Sequence, residues 1–154
     1  MNILITGVAG FLGFSIANHL IKKNNIFGID NFDKYYSPFY KKKRIIELKK
    51  YKNFVFLNAD INNKKKINLF IKNKKINLIM HFAAQAGVRY SFINPIKYTE
   101  VNILGFLNIV EIAKINKIKN VIYASSSSVY GESRVFPNSE KDNIKPKNIY
   151  SISK

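Results

Sequence analysis

The 154 residues carry 26 lysines and arginines against 9 acids, a net charge of +17, and no cysteine. That length, with 47% apolar residues, suits one folded domain with a sizeable core, and the missing cysteines exclude disulfides and thiolate zinc sites. The charge invites a nucleic-acid reading through Lys41-Lys42-Lys43-Arg44, Lys64-Lys65-Lys66 and the aromatics before the first cluster. Yet only Arg44, Arg89 and Arg134 are arginines, and lysine is spread over strands, helices and loops alike. Base and phosphate recognition favours the arginine fork, so no specific nucleic-acid partner is expected. His19 and His81 lie far apart without metal-ligand spacing; both read as structural and no metal is expected. The first apolar run is short and broken by glycines, unlike a signal peptide, and no segment reaches membrane-span length, so no membrane partner and a cytoplasmic setting are expected.

Asn2-Ile3-Leu4-Ile5 runs into Thr6-Gly7-Val8-Ala9-Gly10-Phe11-Leu12-Gly13. The apolar run predicts a buried parallel strand over about 2–6, and apolar positions at Phe11, Leu12, Ile16, Ala17, Leu20 and Ile21 predict a helix over about 11–23. Strand, glycine turn and helix aim backbone N–H groups at a phosphate. Gly7 permits the tight bend, Gly10 lets a pyrophosphate approach the backbone, and Gly13 lets helix and sheet lie close. A second strand over 26–30 ends in Asp30, where an acid would grip a ribose 2′-hydroxyl and repel a 2′-phosphate; the motif predicts NAD. The spacing is G-x-x-G-x-x-G, so its weight comes from this context, and a strand-end turn residue is the competing reading of Asp30.

A loop at 31–36 leads to a helix near 38–50, with Ser37 as N-cap and Pro38 at N1. A third strand is expected at 54–57, a helix over about 64–73 after the candidate caps Asn62 and Asn63, a fourth strand at 78–82 and a loop over 83–96. A long helix over about 98–116 turns Val101, Leu104, Ile109 and Ile112 inward. A fifth strand at 121–124 opens into Ser125-Ser126-Ser127-Ser128 and a long polar loop. Alternating strands and helices with short connections predict the α/β class, a doubly wound parallel sheet in one domain without repeats.

The serine run falls at the C-terminal edge of that sheet, where such folds bind ligands. The sequence closes on Tyr150-Ser151-Ile152-Ser153-Lys154, and a helix starting near Tyr150 sets positions 150 and 154 one turn apart on one face. A lysine cation and a charged nicotinamide beside Tyr150 would lower its pKa from about 10, so that it accepts a proton from a sugar hydroxyl near neutrality. A serine from the end of strand five could hydrogen-bond the same oxygen. Chance alone supplies roughly one tyrosine-lysine pair of this spacing in such a composition; its position after the serine run gives it weight.

Together T-G-x-x-G-F-x-G, S-S-S-x-V-Y-G and Y-x-x-x-K resemble the extended short-chain dehydrogenase/reductase superfamily, specifically its NAD-dependent nucleotide-sugar epimerases and dehydratases. Ala83-Ala84-Gln85-Ala86-Gly87-Val88-Arg89-Tyr90-Ser91, with Asp30-Asn31-Phe32-Asp33-Lys34-Tyr35-Tyr36, closely resembles the UDP-glucuronate 4-epimerase branch. The resemblance covers essentially the whole sequence and implies a Rossmann-type fold with bound NAD. It implies that Gly7, Gly10 and Gly13, with the backbone of Phe11 and Leu12, hold the pyrophosphate. Asp30 would hold the adenosine ribose with support from Asn31 and Lys34, Asp60 and Ile61 would flank adenine, and Ala83, Ala84 and Gln85 would line the cofactor path. Asn102 matches a central-helix asparagine that supports the site. Tyr150 is the implied base, and Lys154 orients the nicotinamide ribose while tuning Tyr150. Ser126 is the implied serine partner, with Ser127 and Ser128 near enough to take its place. Arg89 is a candidate for a substrate phosphate or sugar carboxylate, with a structural ion pair as the equal alternative.

The reaction so implied is C4 inversion of a nucleotide sugar: Tyr150 takes the C4 hydroxyl proton, hydride passes to NAD, and hydride returns to the opposite face of the 4-keto sugar. Dehydratases of this superfamily carry Asp-Glu after the serine or threonine. Ser127 and Ser128 stand at those positions, which favours epimerisation over dehydration or decarboxylation; a noncatalytic dinucleotide- or RNA-binding remnant is the third reading. Asn148 stands where many members carry serine. Members continue for roughly as many residues again beyond the tyrosine-lysine motif. The sequence therefore reads as the incomplete NAD-binding domain, 1–154, of a homodimeric enzyme, with strand five an open edge, weak NAD binding and little or no turnover on its own.

Overall fold

A computed structural model describes residues 1–132 and 136–154. Five strands, β1 (Asn2–Thr6), β2 (Asn25–Asp30), β3 (Phe54–Asn58), β4 (Leu78–His81) and β5 (Asn120–Tyr123), form one parallel sheet in the order β3-β2-β1-β4-β5. The helices are α1 (Phe11–Leu20), α2 (Pro38–Leu48), α3 (Lys64–Ile71), α4 (Val88–Ile93), α5 (Pro95–Tyr98), α6 (Gly105–Ile115) and α7 (Ile149–Ile152). The expected class is therefore the observed one.

Every residue of β1 from Ile3 to Thr6 is buried, as a central strand covered on both faces requires. Because successive side chains point to opposite faces, β1 feeds two cores. Leu4 joins Ile29, Ile79 and the α3 and α6 residues Ile67, Ile71, Ile109 and Ile112. Ile3 and Ile5 join Ala17 and Ile21 at α1 with Ile45 and Leu48 of α2 on the other face. Strand order reverses between β1 and β4, and a crevice opens there beyond their carboxyl ends.

Several elements depart from expectation for local reasons. α1 stops at Leu20 because asparagine side chains take its last carbonyls: Asn24 Nδ2 donates to Leu20 O (2.9 Å) and Asn53 Nδ2 to Ile21 O (2.6 Å). Pro38 opens α2, but Ser37 makes no side-chain cap; Asn63 does cap α3, accepting from Lys66 N at 3.0 Å. The expected 83–96 loop contains α4, and α5 follows from an Asn94 cap and Pro95. The single long helix is interrupted by a π-helical segment, Thr99–Leu104, before α6 begins. That wider turn breaks the 3.6-residue period, so Leu104 is half exposed instead of inward while Ile109 and Ile112 are fully buried. The polar loop after the serines includes residues 133–135, and with them Arg134, which lie outside the described residues.

His81 closes β4 in a buried position, its Nδ1 2.7 Å from Thr6 Oγ1. Burial, and secondarily the Lys154 cation, pushes its pKa from 6.5 down to about 4. Between those values the unfolded chain binds more protons than the folded one, so stability falls as pH drops from 6.5 to 4, by about 3 kcal/mol in all. Urea unfolding at pH 7 and pH 4.5 is expected to show that loss, and His81→Gln to flatten it; equal pH slopes for the two proteins would refute the assignment.

Candidate functional site

The turn after β1 is built from contacts that only glycine tolerates. Gly7 has φ +68°, and a Cβ there would meet Ala83 N at 2.6 Å and Ala83 Cα at 2.8 Å, so the loops after β1 and β4 touch across the crevice. A Cβ on Gly13 would overlap the Gly7 carbonyl and lie 2.9 Å from Val8 Cα, so the first turn of α1 rests on the loop. At Gly10 only the Gly7 carbonyl comes near, at 3.1 Å. Gly10 is the N-cap of α1 and has no side chain to satisfy the helix's first N–H groups. Free amides at a helix start form an anion cradle. Above them lies a cavity of about 630 Å³, the size of a small-molecule site. Phe11 and Leu12, both well exposed, line it from the first turn of α1.

Asp30, at the tip of β2, lines the same cavity and is almost buried. Its Oδ2 accepts from Ala9 N (3.0 Å) and its Oδ1 from Phe32 N (2.8 Å), which locks the carboxylate in place and leaves each oxygen a lone pair for a ligand hydroxyl. Asn31 Nδ2 donates to Asp60 Oδ2 at 2.8 Å, joining the ends of β2 and β3. Gly7, Gly10, Gly13, Asn31, Asp60, Ile61, Ala83, Ala84 and Gln85 all line this cavity. Lys34 does not: it is exposed and outside the lining. The cations that do line it are Lys41, whose Nζ donates to Asp33 O (2.8 Å), and Arg44, whose guanidinium donates to Ala9 O (3.0 Å). Sequence reasoning took that cluster only as surface charge. Ser37, Tyr40, Lys41 and Arg44 all face the cavity at i, i+3, i+4 and i+7, so helical spacing could have found them.

Beyond the carboxyl end of β5, α7 carries Tyr150, whose ring meets Tyr98 edge-on with centroids 6.1 Å apart. Asn148 in place of serine is an effective N-cap: its side chain accepts from Ser151 N (2.8 Å) while Ser151 Oγ accepts from Asn148 N (3.1 Å). α7 lasts one turn, and Lys154 follows its end instead of extending the helix. Ser125 Oγ donates to the Lys154 carbonyl at 3.2 Å, which ties that residue to the end of β5. Burial lowers the Lys154 ammonium below the usual lysine pKa. Buried Asn102, on the π-helical segment, accepts from Gln85 N (2.7 Å) and donates to Gln85 O (3.1 Å) and Ser153 Oγ (2.9 Å), joining the loop after β4 to α7. Functional sites often use such π turns.

Ser126 caps a short 3₁₀ turn, Ser127–Tyr130, accepting from Ser128 N at 3.2 Å. Among the described residues, none of Ser126, Ser127 and Ser128 hydrogen-bonds to Tyr150, and Arg89 is exposed on α4 without an ion pair. The ion-pair alternative for Arg89 finds no partner among the described residues. Tyr150, Lys154, Asn102, Arg89 and the serines lie outside the lining of the cavity. Among the described residues no His, Asp and Glu cluster could hold a metal, and no helix is long and apolar enough to cross a membrane.

Comparison with known proteins agrees with this fold. An uncharacterised protein of Methanocaldococcus jannaschii is 45% identical over 99% of the chain and 48% of its own length. UDP-glucuronate 4-epimerase 4 of Arabidopsis thaliana is 39% identical over the whole chain and 36% of its own length. The crystal structure of UDP-glucuronic acid 4-epimerase from Bacillus cereus, in complex with UDP-glucuronic acid and NAD, superposes with a TM-score of 0.90 at 31% identity, over 99% of this chain and 48% of that one. The chain spans about half the length of the curated relatives it matches, or less. Residues 4–154 match the family described as GDP-mannose 4,6 dehydratase, and the chain belongs to that family.

Proposed function

We propose that residues 1–154 are the NAD-binding portion of a nucleotide-sugar 4-epimerase of the UDP-glucuronate type. The observation that carries this reading is a single cavity with an uncapped helix start at one side and a locked, buried carboxylate at the other. A dinucleotide needs both, its diphosphate on the amides of Phe11 to Gly13 and its adenosine ribose on Asp30, with Asn31, Asp60 and Ile61 around the base. Ala83, Ala84 and Gln85 lead from there toward Tyr150. When bound, NAD would supply a reversible hydride acceptor.

The chain's own residues supply the proton chemistry. Tyr150 would take the proton of the sugar C4 hydroxyl, with Lys154 orienting the nicotinamide ribose and Ser126, or one of its two neighbours, holding the same oxygen. Arg89 would meet a phosphate or the sugar carboxylate. Ser127 and Ser128, with no acid in either place, favour inversion over loss of water. The exposed apolar residues Leu104, Leu107 and Val110 give the complete enzyme a face on which to form a homodimer, in the cytoplasmic setting of its substrates.

Titration of the chain with NADH, followed by nicotinamide fluorescence, tests the cofactor reading. Binding is expected, and Asp30→Ala should weaken it tenfold or more, the scale of hydrogen bonds to a charged group. Failure of the unsubstituted chain to bind NADH overturns the reading. In a protein extended to the length of its relatives, UDP-glucuronate should be inverted at C4; release of water or carbon dioxide would select a dehydratase or decarboxylase instead.

A further inference from the structure

Residues 31–37 cross one side of the cavity, and Asn31, Asp33, Tyr35, Tyr36 and Ser37 all contribute to its lining. Among the described residues, no backbone–backbone hydrogen bond ties 31–36 to a neighbouring element. The segment keeps its shape through its own side chains: Asn31 Oδ1 accepts from Asp33 N (3.0 Å) and Asp33 Oδ1 from Tyr35 N (2.9 Å). Near β3 it is attached by Asn31 Nδ2, which donates to Asp60 Oδ2 (2.8 Å), and by the Phe32 ring against Phe56; its attachments to α2 and α5 meet at Asp33. The Asp33 carbonyl accepts from Lys41 of α2 at 2.8 Å, and the carboxylate Oδ2 pairs with Lys97 of α5 at 2.5 Å, each side chain 30% exposed. Beside that pair the Tyr35 hydroxyl presses on Gly87, where a Cβ would collide with it, and the Tyr35 ring lies 5.1 Å from Tyr90 of α4. Tied to Lys41 of α2 through Asp33 and set against Gly87 of the loop after β4 through Tyr35, the segment is a strap between those two elements.

We propose that Asp33 latches this strap over the adenosine half of the cavity, and that opening the Asp33–Lys97 pair sets the rate at which a nucleotide cofactor leaves. The proposal rests on the dinucleotide reading above. Asp33 and Lys97 act as positioning residues: they hold the strap, and the strap holds the ligand. A surface strap fastened by side chains alone can swing without unfolding a strand or helix, which is what release of an enclosed ligand requires.

Stopped-flow displacement of NADH by excess NAD from the 154-residue chain measures the release rate. Asp33→Asn and Lys97→Met are each expected to raise it about fivefold, the scale of a partly exposed ion pair. Added salt should speed release more from the unsubstituted chain than from the Lys97→Met variant. A purely structural brace would lower the melting midpoint and leave the release rate at 15 °C unaltered in folded protein, and that result overturns the latch. If the unsubstituted chain binds no NADH, the cofactor reading itself fails, an outcome distinct from NADH that binds and leaves at one rate in every variant.

Discussion

Tyr150→Phe is expected to lower kcat for C4 inversion by about a thousandfold in the extended enzyme, while NADH binding and stability stay close to those of the parent. The substitution removes one oxygen. The phenyl ring keeps its edge-on contact with Tyr98, 6.1 Å between centroids, so the packing of α7 is preserved. Nor is any hydrogen bond sacrificed, because the Tyr150 hydroxyl has no partner among the described residues. A loss of activity in this variant would therefore report on the chemistry and not on the fold. General-base catalysis contributes about 10²–10⁴ in rate, and that is the share at stake. Turnover is read by NMR of the C4 proton during conversion of UDP-glucuronate, and folding by circular dichroism. A kcat within tenfold of the parent would remove Tyr150 from the chemistry and leave the cavity as a binding site only.

How much of this was legible in the residues depends on what kind of constraint each one answers. Gly7 and Gly13 stand where backbone meets backbone, and only one residue type fits, so the turn shows in the letters themselves. The sheet class was legible for a related reason: a central strand covered on both faces reads as a continuous apolar run, as 3–5 does here. The π-helical segment was not legible. A wider hydrogen-bonding turn demands no particular side chain, and an apolar series from Val101 to Ile112 fits a regular helix just as well; only the exposure of Leu104 betrays the difference. Lys34 was a role implied by the resemblance, and a loop residue's direction does not follow from spacing. Lys41 and Arg44 sit on a helix, where spacing does fix direction, and they are the cations found at the cavity. The tyrosine-lysine pair shows the limit from another side. Its i, i+4 geometry presumed a continuing helix, whereas α7 ends at Ile152 and the two residues are held in place by Tyr98, Asn102 and Ser125. Such long-range partners leave no periodic trace.

Gly7→Ala is expected to cost about 4 kcal/mol of stability and to abolish NADH binding. Two effects act in the same direction. At φ +68° an alanine sits in the left-handed region, at about 1–2 kcal/mol. Its Cβ would also lie 2.6 Å from Ala83 N, 2.8 Å from Ala83 Cα and 2.8 Å from Phe82 C. All three are backbone atoms, so no rotamer change relieves the overlap, and overpacking of this kind costs roughly 1–3 kcal/mol. The loops after β1 and β4 must part, and they are the two walls of the crevice. Movement of the first loop also strains the Ala9 N–H bond to Asp30 and shifts the start of α1, so carboxylate and amides lose their common register. For a chain of this size the melting midpoint should fall by roughly 8–16 °C. Gly10→Ala is the control within the same loop. Its only close neighbour is the Gly7 carbonyl at 3.1 Å, which a shift of a few tenths of an ångström accommodates, so the fold should persist. Equal melting midpoints for the two variants would show that the loops do not brace one another, and the cavity would lose its claim to be a preformed dinucleotide cradle.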